Sequence, residues 1–258
     1  MLALTQEDVF RDFADRVQLA GATVAELGGA FPLEMLGEAD VKRWYSIDPN
    51  RPAGVSECGR RHVLTAPGES IPLPDRSVDA VFSCNALQFI DVDRAFREVE
   101  RVLRPGGVAY AHFGPIWSGP DGHQLEYVTH EGRPLRFWED TYLPAWSHLE
   151  YDRAELLALL QSGLESELAA LLVWHVHDSP TINRLFFEDY IRLAEASGLV
   201  IEAVATSSEL DYEIQPPRFD AALLREPDLA SLEARVSAAR GAATQLGVRD
   251  VRMLLRRR

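Results

Sequence analysis

The run Thr23-Val24-Ala25-Glu26-Leu27-Gly28-Gly29-Ala30-Phe31 decides the fold. Its first five residues read as a short β-strand. The two glycines after them read as a tight turn in which the backbone can approach a ligand closely. Upstream, Val9, Phe10, Phe13, Val17 and Ala20 recur at helical spacing within residues 6–20, and Gly21 stops that helix. Downstream, residues 33–39 suggest a helix, and Trp44-Tyr45-Ser46-Ile47 is a second strand ending in Asp48-Pro49-Asn50. His62-Val63-Leu64 is a third strand. Residues 77–83 are a fourth, introduced by the turn Pro74-Asp75-Arg76. Residues 93–103 form a helix with Ala95, Phe96, Val99, Val102 and Leu103 on one face. Arg104-Pro105-Gly106-Gly107 ends it, and residues 108–113 are a fifth strand. Short strands alternating with helices predict an α/β fold with a parallel sheet. Near-continuous apolar strands fit a sheet covered on both faces.

After Phe113 the period is lost. Residues 114–150 are rich in Gly, Pro, His and Trp, too long a stretch for a structureless loop unless it is functional or holds short helices. Further on, residues 152–172, 183–196 and 227–245 read as helices, the last broken at Gly241, and residues 199–205 and 248–255 as strands. With no internal repeat and no evident linker, the expectation is one domain, residues 1–258, with residues 114–178 inserted as a cap.

Composition narrows the function classes. The chain has 258 residues and a formal net charge of -14, with no basic stripe, which argues against nucleic acid as a partner. Cys58 and Cys84 are its two cysteines, too few for a disulfide framework or a four-cysteine zinc site, and they suggest a reducing compartment. The first residues lack the basic and apolar regions of a signal peptide, and no apolar run approaches the roughly 18 residues of a membrane span. The expected location is the cytoplasm, without membrane attachment.

Three features line up in the first hundred residues: the glycine turn, Asp48 at the end of the next strand, and Ser70-Ile71-Pro72-Leu73-Pro74-Asp75 before Val78-Asp79-Ala80-Val81. Singly, each has a simpler reading, such as a tight turn or a helix cap. A carboxylate about 20 residues after the glycines suits the two hydroxyls of a ribose. A nicotinamide-binding unit would show Gly-x-Gly-x-x-Gly, which Gly28-Gly29-Ala30-Phe31 does not supply. In order and spacing, with Val102-Leu103-Arg104-Pro105-Gly106-Gly107, these features resemble the class I S-adenosylmethionine-dependent methyltransferases, and most the small-molecule group. That resemblance covers roughly residues 20–113 and the last strand pair. It implies a Rossmann-like methyltransferase fold: a mostly parallel seven-stranded sheet, helices on both faces, and a cap after strand five. It implies S-adenosylmethionine as cofactor. Glu26, Gly28, Gly29 and Ala30 would then lie against its amino-acid part, and Asp48 would hold the ribose. Pro49, Glu69 and Ser70 would lie about the adenine, and Asn85 and Gln88 near the methionine moiety. The family's three alternating glycines read Gly28, Ala30 and Pro32 here, and Pro32 has no backbone donor. Two other readings therefore stay open: different chemistry with the same cofactor, and a homologue that binds a ligand or partner without transferring a methyl group.

On the substrate side, a small-molecule acceptor methylated at O or N is expected, in secondary-metabolite or saccharide biosynthesis. A hydroxyl acceptor needs a base, and histidine suits that role. His123, in a glycine-rich stretch, is the first candidate and His112, at the end of the fifth strand, the second. Trp117 and Trp146 are candidate stacking surfaces for a ring or sugar face, or a small core beneath the cap. Arg133 and Arg136 could admit a phosphate or carboxylate. His175-Val176-His177-Asp178 would put two histidines on one face of a strand, but no accompanying ligand set supports a metal. The expected assembly is a monomer or homodimer.

Overall fold

The computed structural model of the chain describes residues 5–29 and 31–258. In chain order the elements are α1 (Gln6–Arg16), β1 (Thr23–Leu27), α2 (Leu33–Glu38), β2 (Arg43–Ile47), β3 (Gly54–Val55), β4 (Arg61–Leu64) and β5 (Val78–Cys84). There follow α3 (Val92–Val102), β6 (Leu103–Phe113), β7 (Thr129–His130), β8 (Arg133–Pro134), α4 (Ser147–Glu150), α5 (Arg153–Gln161) and α6 (Ser166–Asp178). The series ends with α7 (Phe187–Ala196), β9 (Val200–Ser207), α8 (Leu229–Arg240) and β10 (Asp250–Arg256). They divide between two compact units. The first takes the residues up to Gly114, Asp189–Ser207 and Asp250–Arg258; the second takes Pro115–Glu188 and Ser208–Arg249. Among the described residues, no helix is long and apolar enough to cross a membrane.

The first unit is built on one sheet in the order β3-β4-β2-β1-β5-β6-β10-β9. β1 sits centrally, parallel to β2 (Val24 opposite Trp44) and to β5 (Val24 opposite Ala80). β2 and β4, and β5 and β6, are also parallel. β10 runs antiparallel to both β6 and β9. Seven strands therefore follow the expected α/β plan, and the eighth is the two-residue β3, antiparallel to the edge of β4.

Two amphipathic helices explain why the strands are apolar on both sides. From α1, Val9, Phe10 and Phe13 pack with Val24, Trp44, Phe82 and Tyr110 of the sheet. Burying such an aromatic side chain contributes about 1.5–3 kcal/mol. Thr5 caps α1 by accepting the Asp8 N–H at 3.1 Å, and Tyr110 ties it to β6 by donating to Asp12 Oδ2 at 2.7 Å. α3 buries Val92, Ala95, Phe96, Val99 and Val102, with Asp91 as its N-cap. α7 sends Tyr190 onto Phe113, ring centroids 4.8 Å apart.

The second unit holds the stretch in which no period was legible. It contains the β7–β8 hairpin, the one-turn α4, and the helices α5, α6 and α8. The helix expected over residues 152–172 is two helices. The break falls at Gly163, where a Cβ would stand 2.7 Å from Phe219 Cδ1 and 2.8 Å from the Arg218 carbonyl oxygen. The expected strand at His175-Val176-His177-Asp178 is instead the last turn of α6, so the two histidines do not share a strand face. α7 starts at Phe187, not at residue 183, and α8 stops at Gly241, whose φ is +66°. A buried ion pair anchors the unit: Asp121 Oδ2 accepts from Arg249 Nε at 2.9 Å and from the Tyr212 hydroxyl at 2.7 Å.

Candidate functional site

The ends of β1, β2 and β5 meet at the glycine turn. Gly28 has φ +75° and Gly29 φ +127°, conformations that side chains rarely adopt. A Cβ on Gly28 would stand 2.6 Å from Ala86 Cβ, just beyond β5. The Gly28 N–H donates to the Ile47 carbonyl at 3.0 Å, joining the turn to β2. Ala30 lies outside the described residues.

Glu26 stands beneath this turn and is fully buried. Its Oε2 accepts from Trp44 Nε1 and Ser46 Oγ, each at 2.6 Å, and from the Phe31 N–H at 3.2 Å. Its Oε1 has no hydrogen-bond partner. Burial pushes its carboxyl up, with the bonds from Ser46, Trp44 and Phe31 opposing. Glu26 thus shapes the turn from inside. Trp44 and Ser46 were not legible as its partners, because the register of β1 on β2 makes those contacts.

Asp48, at the end of β2, closes the turn from the other side. Its Oδ2 accepts the Gly29 N–H at 3.1 Å, and its Oδ1 accepts the Asn50 N–H at 2.8 Å. Arg51 Nε reaches Oδ2 at 3.3 Å from a half-exposed side chain. A carboxylate has about four lone-pair sites. Three are used here, and the Arg51 contact is long and exposed. The group therefore has capacity for a diol. The acid three residues before Arg51 was the one signal that pointed to this extra partner.

The remaining cofactor candidates fall around this centre. Pro49 follows Asp48 and is exposed, as are Ser70 and Asn85. Asn85 has φ +52° and donates its N–H to the His112 carbonyl at 2.8 Å. Glu69 is engaged elsewhere: its Oε1 accepts the Asp91 N–H at 2.8 Å, at the start of α3. Gln88 is buried, donates from Nε2 to the Gly114 carbonyl at 3.3 Å, and leaves Oε1 unpartnered. His112 on β6 lies between Cys84 and Arg252 of the neighbouring strands. Both its ring nitrogens are buried without partners. Burial, then the charge of Arg252, lowers its pKa to about 4, so it is neutral at pH 7.

His123, Trp117 and Trp146 belong to the second unit, where they meet a cluster of buried histidines. The rings of His123 and His148 are 5.9 Å apart. His175 Nε2 bonds the His123 carbonyl at 2.8 Å, and His148 Nε2 bonds the Trp117 carbonyl at 3.0 Å. A carbonyl only accepts, so each of those Nε2 atoms carries the hydrogen. The unpartnered Nδ1 atoms of His148 and His175 are then lone-pair acceptors. His123 Nδ1 is buried and unpartnered as well. Burial, then the neighbouring imidazoles, holds His123 far below the ordinary histidine value. Trp117 packs edge-on to His148 at 4.5 Å, with the Arg184 guanidinium 5.5 Å from its ring. Trp146 Nε1 is buried without a partner. Arg133 and Arg136 do not offer free charge together: Arg133 forms a two-pronged pair with Asp140, the shorter contact 2.6 Å, and Arg136 lies over Trp138. Among the described residues, no group of three or more His, Cys, Asp or Glu side chains is placed to hold a metal ion.

Residues 27–111 match the family model described as a methyltransferase domain. An uncharacterised methyltransferase of Mycobacteroides abscessus is 32% identical over 127 residues, covering 45% of this chain and 49% of that protein. An uncharacterised methyltransferase of Mycobacterium tuberculosis is 47% identical over 79 residues, covering 28% of this chain and 31% of that protein. The chain thus spans half or less of the length of these curated relatives. Among solved structures, an S-adenosylmethionine-dependent methyltransferase of Mesorhizobium loti shares the fold. It has a TM-score of 0.51 and 18% identity over 96% of this chain and 98% of that one.

Proposed function

We propose, for a chain whose residues 27–111 are a class I S-adenosylmethionine-dependent methyltransferase domain with S-adenosylmethionine as its cofactor, that the whole protein methylates an oxygen or nitrogen of a small molecule. The observation that carries this reading is the Gly29 N–H held by Asp48 beside Gly28, a position with no room for a Cβ. The residues fit the cofactor. Asp48 has lone pairs for the ribose hydroxyls. The glycine turn lets main chain approach the amino-acid part. Exposed Pro49 and Ser70 are available to the adenine, and Asn85 and the unpartnered Gln88 Oε1 to the methionine moiety.

When bound, the cofactor supplies a methyl group activated by its sulfonium. The protein's work is to bind, orient and exclude water. Residues 114–178 are the proposed cap. His123 is the proposed base for a hydroxyl acceptor: its Nδ1 is unpartnered and burial keeps the ring neutral. An amine acceptor would dispense with it. His112, neutral at pH 7, is the second candidate. Trp117 and Trp146 would flank the acceptor. The acidic chain disfavours a nucleic-acid acceptor, and a role in secondary-metabolite or saccharide biosynthesis, in the cytoplasm, as monomer or homodimer, completes the reading.

The test is calorimetric titration with S-adenosylmethionine and its demethylated product. Micromolar binding, on the order of -8 kcal/mol, is expected in the wild type and should disappear in Asp48→Ala. Folded wild-type protein that binds neither compound, with or without candidate acceptors, would overturn the reading.

A further inference from the structure

The second unit gathers three imidazoles whose rings do not bond one another. His123 and His148 stand with ring centroids 5.9 Å apart and planes at 76°. Trp117 lies edge-on to His148, 4.5 Å away. Two main-chain carbonyls fix the cluster. His148 Nε2 donates to that of Trp117 at 3.0 Å, and His175 Nε2 donates to that of His123 at 2.8 Å. The Nδ1 atoms of His123, His148 and His175 are buried without partners. So is the indole N–H of Trp146, two residues before His148. The backbone beside these residues is held against its preference: Gln124, directly after His123, has φ +44°, and Trp146 has φ +57°. Such strain persists only where the surroundings impose it.

Buried polar groups are nearly always hydrogen-bonded, so a set of unpartnered ones calls for an occupant. Its chemistry follows from theirs. With Nε2 committed as a donor, Nδ1 of His148 is a lone-pair acceptor, and so is Nδ1 of His175. The Trp146 indole is a donor only. The imidazoles carry no charge at pH 7, because burial holds all three below the ordinary histidine value. Arg184, whose guanidinium lies 5.5 Å from the Trp117 ring, donates to the carbonyls of Val176, His175 and Ser179. An ammonium ligand would meet neutral rings and a nearby cation. A carboxylate or phosphate would face imidazole lone pairs. His123 and His148 are only 4% and 5% exposed, so a ligand of either charge would lose most of its water there. A hydroxyl is neutral, and it both donates and accepts.

We propose that this cluster binds a neutral polyol, one hydroxyl donating to His148 Nδ1 and a neighbouring hydroxyl to His123 Nδ1. The inference rests on the reading of residues 114–178 as the part of the chain that holds the methyl acceptor. It narrows that acceptor from any small molecule to a polyhydroxylated one, and it makes His148 a binding residue.

The test uses the full chain, with and without the demethylated cofactor, and ring probes of similar size: methyl α-D-glucopyranoside, myo-inositol, cyclohexylamine and cyclohexanecarboxylate. Saturation-transfer NMR follows binding, and nitrogen NMR follows the histidine rings. At least one of the polyols should bind more tightly than the amine and the carboxylate. In the wild type it should shift the Nδ1 resonance of His148 and leave those of His62, in the first unit, in place. His148→Phe should weaken the polyol by about tenfold, as expected when a hydroxyl donor loses its acceptor, with circular dichroism confirming that the variant is folded. The wild-type resonance shift decides the matter should that variant unfold for want of its bond to Trp117. Cofactor binding without polyol binding, polyol binding that leaves the His148 nitrogen unmoved, or tighter binding of the amine or the carboxylate would overturn the proposal. Polyol binding without cofactor binding would overturn the methyl-transfer reading and leave the polyol site standing. Failure of both ligands would overturn both.

Discussion

At the scale of single residues, the glycine turn is constrained twice, by its backbone and by its neighbours. Gly28→Ala puts a methyl at φ +75° and within 2.6 Å of Ala86 Cβ. Strain and overpacking together should cost about 1–3 kcal/mol of stability. The variant should melt earlier and bind S-adenosylmethionine at least about tenfold more weakly, which thermal unfolding and calorimetry would measure. An unchanged melting curve would mean that the turn relaxes freely. Arg51 offers a contrasting case. Its contact with Asp48 is long and exposed, and such pairs contribute about 0–1 kcal/mol. Arg51→Ala should leave the cofactor affinity within about fivefold of wild type; a loss as large as in Asp48→Ala would give Arg51 its own contact with the ligand. Gly28, Gly29 and Asp48 were legible as a turn and a nearby acid because they follow the ends of two readable strands, β1 and β2. Glu26 was legible as a carboxylate at the right place, but its burial and its bonds to Trp44 and Ser46 were not. Those depend on the pairing of β1 with β2, which is a long-range property.

At the scale of elements, strands that carry alternating or wholly apolar runs were readable, and so were α1 and α3 with their single apolar faces. The errors cluster in the second unit. The leucine-rich run of α5 and α6 is apolar on too many sides for its period to reveal a break, and Gly163 breaks it through contact with a loop more than fifty residues away. His175-Val176-His177 alternates like a strand, yet it completes a helix whose earlier turns supply the propensity. The histidines predict an acid limit for this unit. Burial lowers His148 to about 4, and His123 and His175 also lie below the ordinary value near 6.5. The unfolded chain binds protons at these rings before the folded chain does. Their contribution is complete above about pH 6.5 and is lost as the pH falls towards 4. For His148 alone this amounts to about 3 kcal/mol. Urea unfolding followed by Trp fluorescence should show a lower midpoint at pH 5.0 than at pH 7.5. His148→Asn should reduce that difference. Equal midpoints at the two pH values would show that the cluster is hydrated and free to protonate in place.

At the scale of the whole molecule, the family match ends at residue 111, inside β6, while the sheet does not. β6 is an eleven-residue strand whose last seven residues are buried. Its outer edge is covered by β10 over six residue pairs. A fragment of residues 1–114 would leave that edge unpaired, a ready template for intermolecular pairing. It should aggregate at concentrations where the full chain stays clear in light scattering. A stable monomeric fragment would mean that the matched region is self-sufficient. The return of the last two strands to the first sheet was legible from the resemblance, which includes that pair; that residues 208–249, between those strands, belong to the second unit was not. β10 inserts between β6 and β9, yet it follows both segments of the second unit in the chain. During synthesis, therefore, the first sheet waits with a raw edge while some 135 further residues leave the ribosome, at about 5–20 residues per second. The half-built cofactor domain must be kept soluble by its acidic surface or by a chaperone until the strand that seals it arrives.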